Sequence, residues 1–257
     1  LRHVDRIFCE DTRHSRRLLD EYNIRTPLSA VHKHNEDAVA SSLVNQLLDE
    51  KLAAALISDA GTPLISDPGY RLLSAAVADH LPVYSVPGAS ALTAALSIGA
   101  LPNDRFAFEG FLPAQAGARD SRLQALRGDP RTLVFYEAPH RIEKTLASMV
   151  SSFGGRRQAV VVRELTKRFE SIYRGELADL QTQLAVDDNA RRGEIVVLVT
   201  GAAQSRDEFE LQKLLDVVLT HTDHKAAVGI ITALSGRGRN EIYRRVLEHT
   251  RTIEKQS

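Results

Sequence analysis

The feature that most limits the fold of this chain is the regular return of short apolar runs. Each is closed by a turn rich in Gly, Pro or Asp and followed by a stretch that suits a helix. Residues 4–9, 53–58 and 82–86 are such runs, of strand length and too short to cross a membrane as a helix. Residues 12–22, 35–50, 70–79 and 89–98 read as helices between them. Asp11 or Thr12 is placed to cap the first, and Asn35 opens the second. This β-α-β-α order predicts a mainly parallel sheet with helices on both faces.

Residues 101–112, rich in Pro, Gly and aromatic side chains, read as the crossing into a second α/β region. That region has expected strands at 132–136, 159–163, 171–174 and 194–200, the middle two as a hairpin, and a helix at 141–152. After Gly201 the pattern changes. A polar hinge at 205–207 leads to helices at 208–219, 225–234 and 240–249. The expectation is two α/β domains, 1–103 and 104–201, and a small helical domain, 202–257. There is no repeat of solenoid period and no low-complexity tract.

Composition excludes several classes. The 257 residues carry 33 basic and 33 acidic side chains, so any contact with nucleic acid must come from local patches. The single cysteine, Cys9, rules out an intramolecular disulfide, fits a reducing cytoplasm, and reads as a small apolar residue on a strand. No apolar run has the length of a membrane span. There is no GxGxxG, no Walker A loop and no Cys/His cluster of zinc spacing. His32 and His34 read as solvated loop residues, and no metal site is expected. The first residue is Leu1, and the opening residues read as the tail of an element, as if a natural N-terminal segment preceded them.

Chemistry is concentrated in the loops after the expected strands, where open α/β sheets bind ligands. Ser58-Asp59-Ala60-Gly61-Thr62-Pro63 combines a carboxylate that can accept from ribose hydroxyls, a glycine that lets a ligand approach, and a stiffening proline. On its own it reads equally well as a tight Asx turn. The second Asp-bearing turn, Asp67-Pro68-Gly69, favours function. Val86-Pro87-Gly88-Ala89-Ser90-Ala91 offers a hydroxyl and helix N-terminal N–H groups, and Ser90 also reads as a plain helix cap. Tyr136-Glu137 with His140-Arg141 and Arg163-Glu164-Leu165-Thr166-Lys167 follow strands of the second region. Arg191-Arg192 reads as solvated surface.

Taken with Glu10-Asp11-Thr12-Arg13-His14, Leu101-Pro102 and Phe108-Glu109-Gly110-Phe111-Leu112-Pro113, these loops occur in an order and spacing that resemble one family. It is the ribosomal RNA small-subunit methyltransferase I family, the 16S rRNA (cytidine-2′-O)-methyltransferases of the tetrapyrrole-methylase superfamily. The resemblance runs from about residue 4 to 200, and less specifically through the helical tail. It implies two α/β domains of tetrapyrrole-methylase type with S-adenosylmethionine in the cleft between them. It also implies a homodimer, a substrate in the RNA of the small ribosomal subunit, and no role on DNA. By the same resemblance, Asp59, Gly61, Thr62 and Pro63 lie along the cofactor, with Ser90 and Ala91 near it, and Tyr136 and Glu194 approach from the second domain. Family members normally begin with a strand and a Thr-Pro-Ile-Gly-Asn loop; this chain has neither, so an incomplete cleft is expected.

Methyl transfer from a sulfonium to a ribose hydroxyl needs alignment and is helped by a base. The ionisable candidates are Asp11, His14, Glu109, Glu137 and Lys167. Three have structural alternatives: Asp11 as a helix cap, Glu109 paired with Arg105, and Glu137 paired with Arg141. Arg13, Arg16 and Arg17, with Arg237 and Arg239 in the tail, are the candidate RNA contacts. The last two helices have a helix-turn-helix outline, or form a small bundle packed through Leu214, Val218, Ile230, Leu234 and Val246. Two other functions fit the same features: a related methylase acting on a small molecule or protein residue, and a non-catalytic RNA-binding assembly factor.

Overall fold

The computed structural model describes residues 1–187, 189, 191–202 and 206–254. The chain forms two compact units, Leu1–Thr200 and Gly201–Ser257. Ser205 of the expected hinge lies outside the described residues.

The first unit opens with a parallel sheet of three strands, β1 (Arg6–Cys9), β2 (Leu28–Ala30) and β3 (Ala54–Leu56), in the order β2-β1-β3. Helices α1 (Thr12–Glu21), α2 (Glu36–Asp49) and α3 (Tyr70–Ala78) connect and follow them. Successive strand residues point to opposite faces, and both faces of β1 are covered. Phe8 packs with Val31, Val44 and Leu72, whereas Ile7 packs with Leu19 and Ile24.

Residues 82–86, expected as a strand, form none. Val83, Tyr84 and Val86 are exposed. A strand persists only where a neighbour takes up its N–H and C=O groups. Among the described residues β3 pairs with β1 alone, so apolar content did not suffice to make 82–86 a strand.

The polypeptide then enters α4 (Ala91–Gly99) and a mixed sheet of β4 (Phe106–Phe111), β5 (Thr132–Glu137), β6 (Gln158–Arg163), β7 (Ser171–Glu176) and β8 (Ile195–Val199). Its order is β4-β5-β8-β6-β7, with only the β4–β5 pair parallel. The stretch read as a crossing thus contains β4, whose register shifts between Phe108 and Gly110. Three more helices are α5 (Ala116–Leu126), α6 (Ile142–Phe153) and α7 (Leu177–Ala185). The first and last of these are absent from the sequence expectation.

β8 is buried along its whole length and serves two cores. Ile195, Val197 and Val199 face α5, α6 and α7, while Val196 and Leu198 face α4. A Cβ on Gly99 would collide with the Leu198 side chain, so α4 lies as close to the sheet as a glycine permits. Arg174 donates to Ile98 O at 2.6 Å and places its charge at the helix C-terminus, where the dipole favours a cation.

In the second unit, α8 (Arg206–His221), α9 (His224–Ser235) and α10 (Arg239–Glu254) surround Leu211, Leu215, Ala227, Val228, Ile231, Ile242 and Val246. Leu214, Val218 and Val246 join this core as expected. Ile230 and Leu234 do not; they are exposed because Ala227, Val228 and Ile231 define the buried stripe of α9. Among the described residues no helix is long and apolar enough to cross a membrane.

Leu198→Ala removes the side chain that fills the space over Gly99. It is expected to destabilise the first unit by about 3 kcal/mol, as for other fully buried leucines, measured by urea unfolding.

Candidate active site

The three parallel strands end on the same side, so the residues that follow them meet there. Glu10 and Asp11 follow β1, His32, Lys33 and His34 follow β2, and Ser58 and Asp59 follow β3. This is the edge at which open α/β sheets bind ligands.

The loop after β3 is held from within and from outside. The Ser58 hydroxyl lies 3.1 Å from both Ala60 O and Gly61 O. Gly61 adopts φ +79°, a conformation glycine takes without strain. Thr62 Oγ1 donates to Ala89 O at 3.0 Å and ties this loop to the Pro87–Ser90 segment. Further on, Leu64 and Ser66 also have positive φ, which costs a side-chain-bearing residue energy and requires outside support. That support includes Glu36 at the start of α2, whose Oε2 accepts from Gly69 N–H at 2.7 Å.

Ser90 stands at the N-cap of α4, yet its side chain makes no capping hydrogen bond. Of the two expected roles, that of side-chain cap is therefore not taken up. The Leu92 N–H donates instead to the Tyr136 hydroxyl at 3.1 Å. Tyr136 lies on β5 and packs edge-on against Phe108 and Phe111. Burial pushes its phenol above the usual range, opposed by the bond from Leu92 and by Ser90. The two N-terminal loops and one residue of the second sheet are thus brought together.

Lys167 and Glu194 meet as well, through a residue that sequence reasoning did not select. Lys167 Nζ lies 2.9 Å from Glu164 Oε1 and 3.1 Å from Glu194 Oε2. Glu164 also accepts from the Glu194 N–H at 2.9 Å. A Cβ on Gly193 would run into the Glu164 side chain, so this packing requires the glycine in Arg192-Gly193-Glu194. The hydrogen bond from Lys167 is the main cause holding Glu164 below its ordinary range, and the same bond raises Lys167. An amine held as a cation is poorly suited to take a proton.

The other candidates have partners. Asp11 caps α1, accepting from the Arg13 N–H at 2.8 Å and the His14 N–H at 3.4 Å. Glu109 pairs with Arg122, on α5, and not with Arg105. Glu137 is buried, accepts from Thr145 Oγ1 and the Ala138 N–H, and lies 3.3 Å from Arg141 Nε. His14 is exposed on the first turn of α1. Asp59 and Glu194 are exposed.

Arg13, Arg16 and Arg17 lie on α1 just beyond this edge. Arg13 pairs with Asp11 at 3.3 Å, and Arg16 reaches Ile24 O at 3.5 Å. In the second unit Arg237 pairs with Glu241 at 2.8 Å, and Arg239 opens α10. Among the described residues no group of three His, Cys, Asp or Glu side chains is arranged to hold a metal ion.

Glu164 binds fewer protons when folded than its ordinary pKa of 4.5 implies for the unfolded chain. Its contribution to stability is therefore present above that value and lost as pH falls through the folded-state pKa. Glu164→Gln should lower the urea midpoint of the first unit at about pH 7, and the two midpoints should converge as the pH falls below the ordinary 4.5 and through the lowered folded-state pKa.

A family model described as Tetrapyrrole (Corrin/Porphyrin) Methylases matches residues 1–181. The ribosomal RNA small subunit methyltransferase I of Xylella fastidiosa is 48% identical over 245 residues, which cover 95% of this chain and 89% of that protein. The protein of the same name from Pseudomonas aeruginosa is 48% identical over 252 residues, covering 96% and 89%. Among solved structures, the cobalt precorrin-4 methyltransferase CbiF superposes with a TM-score of 0.55 at 15% identity, over 78% of this chain and 85% of that one. Uroporphyrin-III C-methyl transferase from Thermus thermophilus, complexed with S-adenyl homocysteine, gives 0.51 at 18% identity over 79% and 87%. At such identities the structures speak for the fold alone. The sequence relatives go further: this chain belongs to the tetrapyrrole methylase family, and within it to the ribosomal RNA small subunit methyltransferases I.

Proposed function

We propose that this protein transfers a methyl group from S-adenosylmethionine to the ribose 2′-oxygen of a cytidine in 16S RNA of the small ribosomal subunit. It would do so in the cytoplasm and as a homodimer. The observation that carries this reading is the convergence of the 58–69 loop, the Pro87–Ala91 segment and Tyr136 at one sheet edge, in a chain with relatives of that name.

The residues present fit the cofactor. Asp59 offers an exposed carboxylate suited to ribose hydroxyls, and Gly61, at φ +79°, turns the loop beside Ala89 O. Ser90 does not cap α4 with its side chain; the Tyr136 hydroxyl takes the Leu92 N–H, and the remaining first-turn N–H groups can meet polar atoms of a ligand. In this reading Asp59, Gly61, Thr62, Pro63, Ser90 and Ala91 hold the cofactor from residues 1–103, and Tyr136 and Glu194 from residues 104–201. When bound, the cofactor supplies an electrophilic methyl group on sulfur. The chain's own task is to align the attacking oxygen with that carbon and to receive the hydroxyl proton. Glu137 and Glu109 act structurally here, keeping β5 and the start of α6 in place and tying β4 to α5.

The test is transfer from labelled S-adenosylmethionine to small subunits lacking the modification. Label at one cytidine 2′-oxygen is expected. Calorimetric binding of S-adenosylhomocysteine without label would favour the small-molecule or protein substrate, or the non-catalytic assembly factor. Arg13, Arg16 and Arg17 contact RNA phosphates in this reading, as do Arg237 and Arg239. Arg17→Ala should therefore weaken binding to subunits and reduce the salt slope by about one, measured across a salt titration.

A further inference from the structure

We propose that Asp67 is the group that takes the proton from the attacking ribose hydroxyl. This rests on the methyl-transfer reading above and names the base that reading needs.

Four of the five candidates chosen from sequence are engaged with partners, and the fifth, His14, is exposed on the first turn of α1. Glu109, Glu137 and Lys167 are held in ion pairs, and Asp11 caps a helix. Asp67 differs: its enclosed Oδ2 has no hydrogen-bond partner, and the side-chain hydrogen bond its carboxyl does make comes from Ser58 rather than from a cation. An enclosed carboxylate oxygen without a donor is costly unless it serves something that arrives later. Its loop is built to hold it. Ser66, before it, has φ +70°, and Gly69, after it, has φ +122° and is fixed by Glu36. The Ser66 hydroxyl lies against Gly110 of β4, where a Cβ would stand 3.5 Å away, so the loop is braced on the second sheet. Strain of this kind persists where the surroundings enforce it, and it gathers at functional sites.

The charges around Asp67 suit a base. Burial is the largest cause raising its pKa, followed by the carboxylate of Glu10 after β1; Asp59 after β3 adds to this. Ser58 and the Lys33 ammonium after β2 oppose it. Tyr136 on β5 feels the same carboxylate. Asp67 therefore lies among the loops of all three parallel strands and within range of the tyrosine of the second sheet. A carboxylate of raised pKa takes a proton more readily than an ordinary one.

In the step, the ribose O–H bond breaks and its proton passes to the Asp67 carboxylate. The oxygen's electron pair forms the new O–CH3 bond while the S–CH3 bond breaks, leaving a neutral thioether and a protonated Asp67 that returns its proton to water. No further reactant is needed.

The experiment compares Asp67→Asn, Ser58→Ala and Glu10→Gln with the wild type in three readouts. They are the pH dependence of single-turnover methylation of small subunits, calorimetric affinity for S-adenosylhomocysteine, and infrared titration of carboxyl groups. Asp67→Asn should slow methylation on the order of 10²- to 10⁴-fold, with affinity within about twofold. It should also remove one late-titrating carboxyl band. Ser58→Ala should move the acidic limb of the rate profile upward and Glu10→Gln should move it downward, because one group lowers and the other raises the Asp67 pKa. Affinity falling in step with rate in Asp67→Asn would make Asp67 a cofactor ligand and overturn the proposal. An acidic limb that survives in Asp67→Asn, or stays fixed in both other variants, would overturn it too. A wild type that binds S-adenosylhomocysteine but never labels ribose overturns the methyl-transfer reading itself, and this role with it.

Discussion

The packing of α4 on the second sheet is the contact on which the rest of the first unit depends. Leu198 fills the space that Gly99 leaves open, and Ala95 and Leu96 complete an apolar seam with Val134, Val160 and Val196. Arg174 fixes one end of the helix and the Tyr136 hydroxyl the other. Because Ala89 and Ser90 lead directly into this helix, its position decides where Thr62 finds its acceptor and so where the loop after β3 is tied. Dispersion and burial on one face of α4 thus set polar geometry at its N-terminus, a few residues away.

Electrostatics around the site follow one pattern. Four of the acids that sequence reasoning placed near the chemistry have a cation or a neutral donor: Asp11 with Arg13, Glu109 with Arg122, Glu137 with Arg141 and Thr145, Glu194 with Lys167. Pairing stabilises an ionised carboxylate and lowers its appetite for a proton. Asp67 stands apart because its neighbours include carboxylates and its enclosed oxygen has no donor. The same physics accounts for Lys167, which two carboxylates hold as a cation.

Much of the fold was legible in the sequence, for reasons particular elements make plain. Asp11 capping α1 and the fully apolar β8 rest on local rules of capping and burial, and Asn35 stands at the start of α2 as expected, though its side chain accepts from the His32 N–H instead of capping the helix. β2, β4, α5 and α7 were missed. In β4, Gly110 interrupts the run where the register shifts, and α7 follows β7 directly with no turn to announce it. Residues 82–86 failed in the opposite sense: they have strand composition without a partner. At the candidate site, the loops could be read but the partners could not. Glu109 has Arg105 four residues away and binds Arg122 on another element. Glu164 emerged only from the packing that excludes a side chain at Gly193.

The sequence by itself determined which loops are candidates to carry chemistry, because turns with Asp, Gly and Pro after apolar runs are encoded within a few neighbouring residues. It also determined the order of strands and helices over most of the chain, through periodicity and capping. Only the tertiary structure decided which carboxylates are engaged and which is left with an open oxygen. That choice depends on residues far apart in the chain: Glu36 reaching Gly69, Leu92 reaching Tyr136, and the charge of Glu10 acting on Asp67. Proton affinity is set by burial and by charges brought near through folding, and neither is written in the local sequence.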